Sequence, residues 1–213
     1  MSRLYRSAQG PALAILACLA LLSLAPVHAA TLVQLQELPA LVDEAHRGVL
    51  ATVAGVHHDY DARGLHATFV KLRIDEPLFG AVPDAGEFLE IKLYGAPVEM
   101  PDGGRLFVEG TPRYGVGQRY LLLLREDSAW GFTNVSGLFM GAFRIESEPS
   151  GDENYAESLA GNRVFGEGGL SRFIEAEDPA EEPYLQVTDR PVPYPMLRRA
   201  VLKLDAERSG GAR

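Results

Sequence analysis

Residues 68–75 alternate between apolar and polar side chains, and this period of two constrains the fold more than any other feature of the sequence. Val70, Leu72 and Ile74 stand at every second position, with Lys71 and Arg73 between them. In a β-strand successive side chains point to opposite faces of the sheet, so this spacing gives one apolar and one polar face. We therefore expect a strand that lays its apolar face on a core.

Other segments carry strand signals of the same kind. They are residues 49–56, 88–94, 105–108, 120–124, 130–135 and 143–146. The turn-forming stretch 59–64 (DYDARG) predicts that 49–56 and 68–75 form a hairpin. Short strands with turn signals about every dozen residues predict a mainly β fold, a small barrel or sandwich.

Two predicted helices flank these strands. Apolar residues spaced three and four apart predict a short N-terminal helix over 35–46, and Leu197, Val201 and Leu204 give the apolar stripe of a C-terminal helix over 196–207. We expect a β-barrel-like domain over 30–148, with a C-terminal strand and helix from 184–213 packed on it. Between them, residues 149–183 are dominated by Ser, Gly, Asp and Glu, which predicts an acidic, partly disordered linker.

The first 29 residues have the character of a secretory signal peptide. Arg3 and Arg6 precede an apolar run over 11–25, and Val27-His28-Ala29 ends it with the small-residue pattern of a cleavage site. The run is shorter than the roughly 20 residues that span a bilayer. We therefore expect a periplasmic or secreted protein that keeps no membrane anchor after cleavage.

Cleavage of this signal peptide would limit the chemistry that the mature chain can perform. The one cysteine, Cys18, leaves with it, so the mature chain has no disulfide, thiolate nucleophile or cysteine-ligated metal. Since the leader holds two arginines and no acidic residue, the formal net charge falls from −9 to −11. Such acidity argues against nucleic acid as a partner, because binding to phosphates depends on a basic face.

Several sequence motifs resemble an uncharacterised group of exported bacterial small β proteins. They are VLATVAG at 49–55, FVKLRIDEPLFG at 69–80, PRYGVGQRYLL at 112–122 and GAFRI at 141–145. The strand order of that group is similar to OB-fold barrels, including netrin-like barrels. The resemblance implies an OB-like barrel for this chain and carries no activity, because fold alone does not fix function.

Three histidines near the predicted hairpin tip are the candidate metal ligands. If 61–64 form the turn, one of His57 and His58 shares a face with His66, and Asp59 or Asp61 lies nearby. Imidazole and carboxylate groups in such an arrangement suit zinc or nickel. The alternative, which we favour, is that these histidines occupy exposed strand ends and hold no metal.

The glycine- and proline-rich stretch 95–117 is the candidate binding loop. It carries Met100, Leu106, Phe107 and Tyr114, a set of apolar anchors on an adaptable backbone. The alternative is that Leu106, Phe107 and Tyr114 cap one end of the barrel.

Two functions follow from these patterns. The first is a non-catalytic module without cofactor that binds an envelope or extracellular protein, peptide or polymer through its loops, because the sequence holds no recognisable catalytic constellation. The second is a metal-dependent or hydrolytic enzyme that uses the hairpin histidines.

Overall fold

The computed structural model describes residues 35–95, 98–99, 105–106, 112–147, 154–186 and 190–211. The predicted signal peptide at 1–29 lies outside these residues, as do Met100 and Phe107 of the candidate binding loop, and Leu106 is described by its backbone alone. The helices are α1 (Leu38–Glu44), α2 (Glu182–Leu185) and α3 (Tyr194–Gly210).

Seven strands form the main sheet, in the order β3-β2-β1-β6-β7-β8-β9, with every neighbouring pair antiparallel. The strands are β1 (Arg47–Tyr60), β2 (His66–Phe79), β3 (Phe88–Tyr94), β6 (Arg119–Leu124), β7 (Ala142–Ser147), β8 (Asn154–Ser158) and β9 (Val192–Pro193). A separate pair joins β4 (Val98–Glu99) to β5 (Arg105–Leu106). The mainly β fold with short helices is therefore confirmed.

A closed barrel is not what the main sheet forms. Within the described residues, β3 and β9 stand at the two ends of the pairing order and do not pair with each other. The predicted strand over 130–135, which the structure describes in full, does not form; a single bridge joins Leu124 to Val135. Its place is taken by a turn, because Gly131 adopts a φ of +72° and its N–H donates to the Ser128 carbonyl at 2.7 Å.

The two faces of the sheet carry separate cores. One lies between β1, β2, β3 and β6, where alternate residues of each strand are buried. It contains Val49, Ala51, Val53, Val70, Leu72, Ile74, Ile91, Leu93, Tyr120, Leu122, Leu124, Val135 and Ala142. The other core joins the opposite face of β6, β7 and β8 to α1, α3 and residues 164–174. Among the described residues, no helix covers most of the opposite face of β1, β2 and β3, which we call the outward face.

The segment predicted to be a linker differs from that expectation. It supplies β8, the 3-10 helices Asn162–Phe165 and Gly169–Arg172, and α2. Its few apolar side chains enter the second core; Val164, Phe165 and Leu170 are each at most 1% exposed. The physical reason is that a small number of well-placed apolar residues orders a segment whose average composition is polar.

The C-terminal helix is attached to the sheet at its start and to α1 at its end. At its start the Tyr194 hydroxyl donates to Glu76 at 2.8 Å, and Arg198 Nε donates to the same carboxylate at 2.6 Å. At its end Arg208 Nη1 donates to the carbonyls of Val42 and Ala45, so it caps the C-terminus of α1. Among the described residues, no helix combines the length and apolarity needed to cross a membrane.

Candidate binding surface

The β1–β2 hairpin carries a tight turn at its tip that is built around Asp61. Its Oδ1 accepts hydrogen bonds from the backbone N–H of Arg63 at 2.9 Å and of Leu65 at 3.0 Å, and Gly64 adopts a φ of +77°. A short side chain that accepts from the following backbone is the usual reason for Asp in turns. The turn closes a register in which Tyr60 pairs with His66.

The Asp61 carboxylate is charged at any moderate pH. The hydrogen bond from the Leu65 N–H is the main cause that lowers the pKa of Asp61, and Arg63 and Lys92 lower it further against the opposing effect of burial. Its side chain is only 5% exposed. A buried carboxylate held by donors in this way fixes the geometry of the hairpin tip.

Lys92 of β3 connects this tip to the turn that follows β6. Its Nζ lies 3.2 Å from Asp61 Oδ2, donates to the Trp130 carbonyl at 2.7 Å and sits 4.2 Å above the centroid of the Phe132 ring. One ammonium group therefore joins three elements that are distant in sequence. The Thr133 N–H also donates to the Lys92 carbonyl at 2.8 Å, so the backbone is tied at the same point.

Three large aromatic side chains near this end of the sheet face solvent. Tyr60 pairs with His66 and Tyr94 pairs with Ala67, so Tyr60 and Tyr94 lie on opposite faces of the sheet. Tyr60 is 60% exposed, Trp130 56% and Tyr94 53%. Each has an ordered neighbour: Tyr60 lies 4.1 Å from the His66 ring, and the Arg63 guanidinium lies 5.8 Å from the Trp130 ring. We call Tyr60, Arg63, His66, Tyr94 and Trp130 the hairpin-tip surface.

The backbone beneath Tyr94 and Trp130 is well fixed. Phe132 is 5% exposed and meets the Tyr94 ring edge-on at 5.4 Å. The Phe132 N–H donates to Ser128 Oγ at 3.0 Å, which closes the turn that presents Trp130. Exposed aromatic residues on an ordered backbone lose little entropy when they contact a ligand.

The three candidate metal ligands have separate partners. His57 stacks on Phe69 with ring centroids 4.8 Å apart, His58 Nδ1 lies 2.9 Å from Thr68 Oγ1, and His66 lies against Tyr60. His58 and His66 share a face, as expected for one of the paired histidines, and His57 is on the other. Within the described residues, no group of three or more His, Cys, Asp or Glu side chains is arranged to hold a metal ion.

Of the four residues named in the candidate binding loop, Tyr114 is the one whose side chain is described, and it is packed inward. Its ring meets Tyr120 edge-on at 5.2 Å beside the first core, and burial raises the pKa of its hydroxyl far above the ordinary value. This position agrees with the alternative in which the loop's aromatic residues cap a core. The loop nevertheless begins at the hairpin-tip surface, because the Gly95 N–H donates to the His66 carbonyl at 3.0 Å.

Most of the hairpin-tip surface was not among the residues singled out from sequence. One available signal was Trp130, the only tryptophan of the chain. It stands in a polar turn (EDSAWG, 126–131), where the sequence pattern does not predict a buried position. Tyr60 gave a similar signal, because it directly precedes turn-forming residues. Lys92 gave none, since its role depends on contacts that are remote in sequence.

Comparison of the chain with protein-family models and with curated proteins finds no match.

Proposed function

We propose that this chain is an exported, non-catalytic binding module that holds an envelope or extracellular ligand on the hairpin-tip surface. The observation that carries the proposal is the exposure of Tyr60, Tyr94 and Trp130, each more than half accessible, at the end of the sheet where Lys92 joins Asp61 to Trp130. Rigid aromatic side chains of this kind dominate the binding energy of many interfaces. The metal or hydrolytic hypothesis gains no support from the hairpin, because its three histidines have separate partners.

The chemistry of the surface indicates what the ligand presents. Tyrosine and tryptophan combine a flat apolar face with a polar edge, and they stack on flat or CH-rich groups while their edges form hydrogen bonds. Arg63 adds a cation, and it already lies over the Trp130 ring. A peptide with aromatic or proline residues, or a sugar polymer, has faces of this kind.

The proposal includes a barrel-like curl of the sheet that brings the surface together. Its support is the hydrogen bond from the Thr133 N–H to the Lys92 carbonyl, since Val135, two residues later, bridges to Leu124 of β6. The segment 133–135 thus reaches from the edge strand β3 to β6 across the first core. In an OB-like arrangement a connection of this type would complete the wall of the barrel.

The fluorescence of Trp130 can report ligand binding directly. Because it is the only tryptophan of the chain, the emission of the processed protein reports directly on this surface. Titration with peptides and with envelope polysaccharides should give a saturable change for one of the two classes. Tyr60→Ala and Tyr94→Ala should each weaken that binding roughly tenfold or more, the effect of truncating an aromatic anchor.

Phe88→Ala is the matched control. Phe88 is 52% exposed and lies at the opposite end of β3 from Tyr94, about 20 Å away along the strand. Its loss should leave the affinity within about twofold, the scatter of peripheral contacts. Equal effects of Phe88→Ala and Tyr60→Ala, or an emission that no ligand of either class changes, would refute the proposal.

A further inference from the structure

A second feature lies on the outward face of the sheet, away from the hairpin tip. It is an open depression of about 500 Å³, lined by Thr52, Arg73, Ile74, Asp75, Gly86 and Arg119. Arg73 is seven residues from His66 along β2, a distance of about 24 Å in an extended strand. The depression is therefore separate from the hairpin-tip surface.

The strand register brings two arginines to this depression. Arg119 of β6 pairs with Thr52 of β1, and Thr52 pairs with Arg73 of β2. Residues directly opposite in antiparallel strands point to the same face, so all three side chains face outward. Asp75 lies at a bulge of β2 between Ile74 and Glu76, and its hydrogen bond from Thr52 Oγ1 at 2.7 Å places its side chain on the same face.

The Asp75 carboxylate holds both guanidinium groups in place. Its Oδ2 accepts from Arg119 Nε at 3.0 Å and from Thr52 Oγ1 at 2.7 Å, and its Oδ1 lies 3.4 Å from Arg73 Nη2. Within the described part of the chain Arg119 is engaged through Nε alone, so the edge formed by its two Nη groups is left for another acceptor. The side chains of Arg119 and Arg73 are 35% and 55% exposed.

The local charge is positive in an acidic protein. Arg73 and Arg119 share the single carboxylate of Asp75, and the nearby Glu76 is occupied by Arg198 and the Tyr194 hydroxyl. Among the residues that line the depression, two guanidinium groups thus stand against one carboxylate, in a chain whose formal charge is −9. Glu87, which follows Gly86 at the rim, accepts a hydrogen bond from the Asp84 N–H in its own turn.

We propose that this depression binds an oxyanion, a carboxylate or phosphate group of a ligand, through the Nη edge of Arg119 and the free donors of Arg73. The planar fork of arginine matches two oxygens of either group, and such charge-assisted pairs are the strong ones. Asp75 is a positioning residue, because it orients the guanidinium groups and would not contact the anion. The site does not depend on the function of the hairpin-tip surface.

The test follows the arginine Nε–H signals by NMR while inorganic phosphate or acetate is added at constant ionic strength. Saturable shifts of the Arg119 and Arg73 signals with either anion support the site, and the tighter of the two identifies the source as phosphate or carboxylate. Arg144 is the internal control, because its side chain is 37% exposed and its guanidinium lies against Glu146 and Glu157. Shifts of Arg119 no larger than those of Arg144 would overturn the proposal.

Variants separate binding from folding. Arg73→Gln removes one 3.4 Å contact of an exposed side chain, so the fold should persist while the anion binds roughly tenfold more weakly. Arg119→Lys keeps the positive charge but loses the planar pair of donors of the guanidinium group, so it should also weaken anion binding. Arg144→Gln should leave binding unchanged. A folded Arg73→Gln variant with the affinity of the parent protein would contradict the site.

Discussion

Replacement of Phe165 by alanine tests whether the acidic segment 154–174 is part of the folded core. The Phe165 ring is 1% exposed and stacks on Phe143 of β7 with centroids 6.3 Å apart. It lies in the short 3-10 helix Asn162–Phe165, inside the stretch whose composition predicts a linker. A linker residue would tolerate this change, and a core residue would not.

The expected cost follows from the burial of the ring. Removing a buried phenylalanine side chain costs about 3–5 kcal/mol, since the transfer free energy is lost and a cavity remains. Phe143 is held in β7 by pairing with Leu121 and Ser158, so it has little freedom to collapse into the gap. We therefore expect the free energy of unfolding to fall by about 4 kcal/mol.

Urea denaturation followed by circular dichroism measures this loss. With a slope of about 2 kcal/mol per molar urea, the midpoint should fall by about 2 M. Leu159→Ala is the control, because this nearby side chain is 37% exposed and its loss should cost under about 1 kcal/mol. A midpoint shift for Phe165→Ala no larger than that for Leu159→Ala would refute the assignment of the segment to the core.

Two effects of pH on stability follow from the shifted pKa values of Asp61, Tyr114 and Tyr194. Because the Leu65 N–H and Lys92 lower the pKa of Asp61 below 3.8, its charged form stabilises the hairpin above that pH and the benefit is lost as pH falls through the folded-state pKa. Asp61→Asn should therefore be less stable than the parent protein at pH 7 and equally stable in strong acid, as measured by urea midpoints across pH. Burial raises the pKa values of Tyr114 and Tyr194 above 10.0, so the stability that depends on their neutral forms is complete below pH 10 and declines above it. Tyr114→Phe should reduce the loss of stability at alkaline pH. An unchanged dependence of the urea midpoint on pH would contradict the burial of the Tyr114 hydroxyl.

The strands were predictable because their signal is local. A period of two needs only neighbouring residues, and it placed β3 over 88–94 with the bounds that the structure has. The same signal placed β2 with shorter bounds, since the structure extends it from His66 to Phe79. Both extensions lie where polar residues or Pro77 interrupt the alternation, and there the pairing with β1 supplies the order.

The remaining features depend on contacts that are distant in sequence. The polar average composition of 154–174 gave no indication of its core residues. A few buried apolar side chains stabilise the fold of the segment although most of its side chains are solvated. The hairpin-tip surface depends on Lys92, whose partners Asp61 and Trp130 are 31 and 38 positions away. The shared face of His58 and His66 was predictable from the hairpin turn, whereas the partner of each histidine was not, because it depends on the neighbouring side chains of the folded hairpin.

The residues on the outward face of β1 and β2 explain why no described helix covers most of it. On the other half of the sheet the side chains that face the helices are apolar, and α1, α3 and residues 164–174 bury them. Here the corresponding positions hold Arg73 and Arg119 with one shared carboxylate. Covering them with an apolar helix would remove a charge from water without a partner, at a cost of several kcal/mol. For this reason we expect a molecule that occupies this face to bring a negative charge of its own, and the phosphate and acetate titrations test that expectation.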